Sequence, residues 1–185
     1  MDVGLIVVLV VVGVLLLWGV VTYNGLVRRR NEVDNAWSQI DVQLKRRLDL
    51  IPNLVDTVKG YANFERSALE AVITARSKVI AAPDTPAAKG EADLGLSGAL
   101  RQLFALSEAY PDLKANTNFL SLQEELQNTE SRIAYARQFY NDSVLRYVNA
   151  VQAFPAVLVA RAFGFGPREY FEAEDAAQQP PKVTF

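Results

Sequence analysis

The sequence YNGLVRRRNEVDNAWSQIDVQLKRRLDLIPNLVDTVKGYANFE, residues 23–65, opens a helical pattern that continues to Ala82. Apolar side chains recur every three or four residues from Val33 to Val79, and the average step is close to 3.5 residues. This spacing is typical of helices that wrap around neighbouring helices. The pattern therefore predicts one long helix, from Asn31 to Ala82, that packs in a bundle.

Pro52 interrupts this predicted helix, but the apolar pattern stays in phase on both sides of it. No glycine or turn cluster surrounds the proline, so the pattern favours a kink over a hairpin. A helix of this length would extend roughly 78 Å, whereas the next predicted helix covers only about 30 Å of it. We therefore expect a third helix, the tail or a neighbouring subunit to cover the remaining apolar stripe.

An uncharged apolar run, VGLIVVLVVVGVLLLWGVV from Val3 to Val21, precedes the long helix. At about 1.5 Å per residue the run is long enough to cross a hydrocarbon core of ~30 Å. A cleaved signal peptide is the alternative, but it would have basic residues before the run and a small-residue cleavage site after it. We predict a retained transmembrane anchor within residues 1–23.

Aromatic and basic residues surround the end of the apolar run. Trp18 and Tyr23 lie where an interfacial aromatic belt would be, and Arg28, Arg29 and Arg30 follow directly. The arginines serve as a stop-transfer flank, or contact anionic lipid headgroups, or do both. By the positive-inside rule we expect the N-terminus outside the membrane and the bundle in the cytoplasm.

A second, shorter helix is predicted from Glu91 to Tyr110. The breaker cluster Pro83–Pro86 is expected to end the first helix, and a loop is expected to continue to Gly90. Gly95 and Gly98 lower the helix propensity of this segment, and they are candidates for a close approach of another helix.

The third predicted helix, Thr117 to Phe154, has the most regular apolar spacing, a strict heptad average. Together the pattern predicts an all-α fold, in which an antiparallel bundle of long coiled-coil-like helices, residues 24–154, follows the transmembrane helix. The residues expected in the bundle core are Trp37, Ile40, Leu44, Ile51, Val55, Val58, Phe119, Leu122, Leu126, Ile133, Tyr140 and Tyr147.

Residues 155–185 form a short apolar segment and a tail. Phe163 and Phe165 lie among the glycines of this segment, and Tyr170 and Phe171 follow them. The segment is too short to span a membrane. Docking on the bundle is the favoured interpretation, and the alternative is an interfacial or partner-binding patch formed by these four aromatic residues.

Composition excludes several kinds of chemistry. The 185-residue chain has no histidine and no cysteine, so it lacks imidazole bases, thiol nucleophiles and the Glu-x-x-His pairs of di-iron bundles. We expect no enzymatic activity, no cofactor, no metal site and no small-molecule substrate. An all-carboxylate metal site is the alternative, but its candidate ligands are mostly off the apolar stripe and are expected to be solvated: Glu32, Asp34, Asp41, Asp49 and Asp56. The formal net charge of −2 and the absence of a basic patch interleaved with aromatic residues give no reason to expect nucleic-acid binding.

Three long segments resemble the LemA family: Tyr23–Ala62, Tyr110–Asn141 and Phe163–Ala176, followed by PKVTF at the end of the chain. The resemblance implies a single-pass N-terminal transmembrane helix and an antiparallel helical bundle in bacterial membranes, hence the inner (plasma) membrane, without a known activity. One branch of the family resembles proteins that help to build magnetosome membranes. Phe64 stands where the family often has a histidine, which weakens any metal or proton-transfer role there.

Two functions are compatible with these features. The first is a non-catalytic structural or scaffolding role at the membrane through homo-oligomeric assembly, suggested by the long amphipathic helix. The second is an adaptor that binds another membrane protein, such as a protease or a signalling component, through the aromatic patch. The sequence alone separates these two functions poorly.

Overall fold

Helices dominate the computed structural model, which describes residues 2–61 and 65–171. The helices are α1 (Val3–Lys59), α2 (Arg66–Ala81), α3 (Pro86–Ser107), α4 (Pro111–Lys114), α5 (Thr117–Gln152) and α6 (Ala156–Ala162). No β-strand occurs in the described residues. The predicted all-α bundle with an apolar N-terminal helix is thus confirmed, while Phe64 and the PKVTF end lie outside the described residues.

The described residues fall into two compact units. The first unit contains residues 2–36 and 139–169, and the second contains residues 37–61, 65–138 and 170–171. Helix α1 passes through residue 23, the predicted end of the anchor, without a break. Residue 154, the other predicted boundary, lies in the turn between α5 and α6.

The first helix ends earlier than the apolar pattern predicts. Helix α1 stops at Lys59, and the turn that follows includes a hydrogen bond from the Tyr61 N–H to the Val58 carbonyl at 3.0 Å. The prediction of one helix to Ala82 was therefore wrong. Glycine is costly in a helix interior, and Gly60 marks the point where the helix ends. The apolar stripe stays in phase because α1 and α2 bury their apolar faces in the same core.

Helix α2 returns alongside α1 and compensates for Pro52. A proline has no N–H, so the carbonyl four residues earlier, that of Leu48, loses its helical hydrogen bond. The Arg76 Nε–H of α2 donates to this carbonyl oxygen at 3.0 Å. Arg76, which interrupts the apolar stripe of α2, therefore satisfies a backbone acceptor that the proline leaves open.

We expect Arg76→Met to lower the free energy of unfolding by about 1–2 kcal/mol, because it leaves the Leu48 carbonyl without its donor. In a Pro52→Ala background the restored N–H of residue 52 can reach the same carbonyl, so Arg76→Met should then cost little. A double-mutant cycle by urea unfolding of the full-length protein in detergent micelles measures this coupling. Equal costs of Arg76→Met in both backgrounds would contradict it.

Helix α3 begins at Pro86, earlier than the predicted start at Glu91. The Thr85 hydroxyl accepts a hydrogen bond from the Ala88 N–H at 3.4 Å, and Pro86 occupies the first helical turn, where a missing N–H costs nothing. The residues interpreted as a loop up to Gly90 therefore form the first turns of a capped helix.

The close approach in α3 occurs at Gly90 and not at the two glycines predicted for it. A Cβ atom added at Gly90 would lie 3.1 Å from the nearest ring carbon of Phe171. The same addition at Gly95 or Gly98 meets nothing within 4 Å. Gly90 therefore leaves space for the Phe171 ring.

Helix α5 starts at Thr117 as predicted and ends at Gln152. The Asn116 side-chain oxygen caps it by accepting hydrogen bonds from the Asn118 and Phe119 N–H groups at 2.9 and 3.1 Å. Among the predicted core residues, those that are buried are Ile40, Leu44, Ile51, Val55, Val58, Phe119, Leu126, Ile133, Tyr140 and Tyr147, and those that are half-buried are Trp37 and Leu122.

The apolar stripe of α1 is covered within the chain. Every stripe position from Val33 to Val58 is buried or half-buried, and Leu26 is buried as well. The sequence analysis offered a third helix, the tail or a neighbouring subunit to cover this stripe. Because the stripe is covered within the chain, it is not evidence for a neighbouring subunit.

Candidate functional site at the end of the apolar helix

The N-terminal part of α1 is long and apolar enough to cross a membrane, and none of this stretch is buried within the described residues. The large apolar side chains from Val3 to Val21 are exposed. The residues predicted to lie at the membrane interface are exposed on the same helix. Trp18 is near the end of the apolar stretch, and Tyr23 and Arg28–Arg30 follow it.

An aromatic and basic cluster lies at the end of the apolar stretch. The Tyr23 ring contacts the Phe163 and Phe165 rings edge-on, with centroid distances of 4.9 and 5.5 Å. The Arg30 guanidinium lies 5.4 Å from the centroid of the Phe165 ring. Gly164, between the two phenylalanines, has a φ of 71°, a conformation that other residues rarely adopt.

Polar contacts hold the segment after Gly164 in place. Arg168 Nη2 lies 2.9 Å from the Asp34 carboxylate, and the Tyr140 hydroxyl donates to the Glu169 carbonyl at 2.8 Å. Burial raises the pKa of Tyr140, which favours the protonated hydroxyl that donates this hydrogen bond. The segment after α6 is thereby fixed against α1 and α5 in the first unit.

A buried charge network, made of Arg47, Asp93, Glu130 and Arg137, lies in the second unit. Asp93 is fully buried and pairs through one oxygen with Arg47 at 2.9 Å and through the other with Arg137. Arg47 also binds the partly exposed Glu130 at 2.8 Å. Burial raises the pKa of the Asp93 carboxyl, although the two guanidiniums oppose this rise.

The Phe171 ring covers one side of the buried charge network. The Arg137 guanidinium lies 4.7 Å from the centroid of this ring, and the Trp37 ring lies 6.2 Å from it. Phe171 therefore contacts α1, α3 and α5 within the second unit.

The arrangement of charges favours a structural role over acid–base chemistry. Asp93 is enclosed by its arginine partners, so no substrate proton could reach it without local opening. In the described ranges, no group of three or more carboxylates is placed to hold a metal ion. A shallow polar cleft of about 220 Å³ is lined by Arg46, Ser121, Glu124, Glu125, Asn128, Thr129 and Arg132. In it, Arg46 and Glu125 already pair at 3.2 Å.

The structure divides the predicted partner patch. In the first unit Phe163 is 65% exposed, whereas Phe165 is buried. In the second unit Tyr170 is exposed, whereas Phe171 is buried. Only Phe163 and Tyr170 are therefore accessible to a partner in this conformation.

Comparisons with known proteins place these features in a family context. The profile of the LemA family matches residues 36–185. Protein LemA of Metamycoplasma hominis is 30% identical over 156 residues, which cover 82% of this chain and 69% of that protein. Magnetosome protein MamQ of Magnetospirillum gryphiswaldense and Magnetosome protein MamQ 2 of Paramagnetospirillum magneticum are each 26% identical over 183 residues, covering 85% of this chain and 67% of the relative. None of these names is that of an enzyme.

Proposed function

The chain belongs to the LemA family, and on that basis we propose that it is a non-catalytic scaffold that assembles as a homo-oligomer at the membrane. The observation that carries the proposal is the continuity of α1. Its exposed apolar stretch passes without a break into the helix that forms the bundle core. The apolar stretch and the start of the bundle are thus parts of one helix, which attaches the bundle directly to the proposed anchor.

An exposed apolar face on α2 supports contact with a second copy. Ile73 and Ile80 are exposed and lie seven residues apart, so they share one face of the helix. This spacing is the repeat through which helices of neighbouring chains pack side by side. The absence of histidine and cysteine from the sequence supports a role other than catalysis.

The proposed location is the bacterial inner membrane, with the N-terminus outside and the bundle in the cytoplasm. Arg28, Arg29 and Arg30 follow the apolar stretch, and the positive-inside rule places such residues on the cytoplasmic side. A reporter fused to the C-terminus that is active only outside the membrane would contradict this orientation.

The particle mass after gentle extraction of the full-length protein from its own membrane tests the scaffold. We expect a particle several-fold heavier than the 20.5 kDa chain that contains only this protein. The double variant Ile73→Glu, Ile80→Glu should lower the mass, because charges on this face oppose its burial. Val42→Glu, at another exposed apolar position, is the matched control and should leave the mass unchanged. A wild-type monomer would contradict the proposal.

An adaptor is the second candidate function, and the exposure of Phe163 and Tyr170 favours it. The partner would be another membrane protein, such as a protease or a signalling component. The same extraction would then yield a small particle with a second protein in a fixed ratio. Phe163→Ser and Tyr170→Ser should each reduce recovery of that protein, whereas Ile73→Glu should not.

A further inference from the structure

Helix α6 lies across the end of α5. The axes of α5 and α6 differ by 95° at the break between them. Helix α5 runs antiparallel to α1, because Arg146 of α5 binds Glu32 of α1 at 2.8 Å, whereas the earlier α5 residue Glu125 binds the later α1 residue Arg46 at 3.2 Å. Helix α6 is therefore roughly perpendicular to α1 as well.

Helix α6 also lies at the level where the apolar stretch of α1 ends. Arg146 of α5 binds Glu32 of α1 at 2.8 Å. From that contact α5 continues about 9 Å toward the apolar stretch before it ends at Gln152, and Tyr23 lies about 13 Å from Glu32 in the same direction. The far end of α6 is fixed at the same level, because the Phe163 ring contacts the Tyr23 ring.

The two sides of α6 differ in character. Val159 and Ala160 are buried in the first unit. Phe154, Leu158 and Phe163 are large apolar side chains that are 82%, 58% and 65% exposed. Leu158 lies in α6, Phe154 lies in the turn before it, and Phe163 is its C-cap. A short helix that packs on the protein through one side and exposes apolar residues along and beside it is suited to lie in the plane of a membrane surface.

We propose that Phe154, Leu158 and Phe163 form a second membrane contact, in which α6 lies in the interfacial region of the bilayer. The lipid surface is the occupant because the contact between Tyr23 and Phe163 makes this patch continuous with the apolar stretch. Exposed Arg161 on α6 is long enough to keep its charge among the headgroups. With two contacts, the tilt of α1 in the membrane is fixed. The inference rests on the membrane anchoring in the proposed function.

The absence of cysteine from the sequence makes this contact testable with one label at a time. The full-length Leu158→Cys protein is spin-labelled and placed in vesicles of phosphatidylcholine and phosphatidylglycerol. Collision rates with oxygen, which concentrates in lipid, and with a water-soluble nickel complex then report depth. Val12→Cys, in the apolar stretch, and Tyr135→Cys, exposed on α5, are the two reference positions.

We expect the oxygen-to-nickel ratio at position 158 to lie between those at positions 12 and 135, and several-fold above the latter. Adding Phe154→Ser and Phe163→Ser should lower the ratio at position 158, whereas adding Tyr135→Ser should not. A ratio at position 158 equal to that at position 135 would overturn the second membrane contact. The ratio at position 12 tests the anchor separately, because a high ratio there shows that the apolar stretch is in the bilayer. Shielding of position 158 from both reagents would also overturn it, in favour of a protein partner.

Discussion

Replacing Arg47 with methionine is expected to lower the free energy of unfolding by about 3 kcal/mol at neutral pH. The substitution keeps a long apolar side chain but removes the guanidinium that pairs with the fully buried Asp93 carboxylate. Removing one partner of a buried ion pair costs about 3–5 kcal/mol, and Arg137 remains to pair with Asp93, so the lower end applies. Urea unfolding of the full-length protein in detergent micelles, followed by circular dichroism, measures the change.

Two further variants separate the charge effect from the loss of a side chain. Arg46→Met changes the neighbouring arginine, which forms an exposed pair with Glu125, and should cost at most about 1 kcal/mol. The triple variant Arg47→Met, Asp93→Leu, Arg137→Met removes Asp93 together with its two arginine partners and should recover at least the stability of the wild type. The Nε–H groups of both arginines lack a partner among the described residues, so the network is incompletely satisfied. A triple variant as unstable as Arg47→Met would contradict this account.

The deficit of the Arg47→Met protein should also depend on pH. Burial raises the pKa of Asp93, and loss of a neighbouring cation raises it further. A carboxyl whose pKa is higher in the folded than in the unfolded state loses stability as the pH rises from about 3.9, the unfolded value, through the folded value. The stability difference between Arg47→Met and the wild type should therefore be smallest near the unfolded pKa, at about pH 4. It should grow as the pH rises toward neutral.

The periodicity of the sequence predicts the helices well but not the point where α1 turns back. Residues on both sides of Gly60 follow one apolar phase because α1 and α2 bury their faces in the same core. A continuous helix and a hairpin therefore have the same apolar spacing. The start of α3 at Pro86 was missed for a different reason: Thr85 and Pro86 are a helix cap and a first-turn proline, a combination that also occurs in loops.

The buried charge network left a signal that the sequence interpretation did not use. Arg47 lies between buried Leu44 and Ile51, with steps of three and four residues. Asp93 lies three residues before buried Leu96, and Arg137 likewise lies three before buried Tyr140. Charged residues in the apolar phase of three helices indicate buried charges. Their pairing could not be predicted, because it depends on which helix faces meet in three dimensions.

Replacing Phe171 with alanine is expected to lower the free energy of unfolding by about 3–5 kcal/mol. The side chain is 1% exposed, and its removal leaves a cavity beside the Arg137 guanidinium and the Trp37 ring. Phe163→Ala is the matched control, because that ring is mostly exposed and loses only its edge contact with Tyr23, so stability should fall by about 1 kcal/mol or less. Urea unfolding of the full-length protein in micelles compares the two, and equal losses would contradict a specific role for Phe171.

Gly90 provides the sharper test, since its effect should depend on Phe171. With the ring present, a Cβ at residue 90 lies 3.1 Å from a ring carbon, so the crowding opposes the helix propensity that Gly90→Ala gains. Without the ring, the new methyl group enters the cavity and the full gain of about 1 kcal/mol is available. Gly90→Ala should therefore be more favourable in Phe171→Ala than in the wild type, with a coupling of about 1 kcal/mol. Equal effects of Gly90→Ala in both backgrounds would mean that the Phe171 ring does not restrict the size of the side chain at residue 90. A coupling of the expected size would mean that the absence of a side chain at Gly90 makes room for the Phe171 ring.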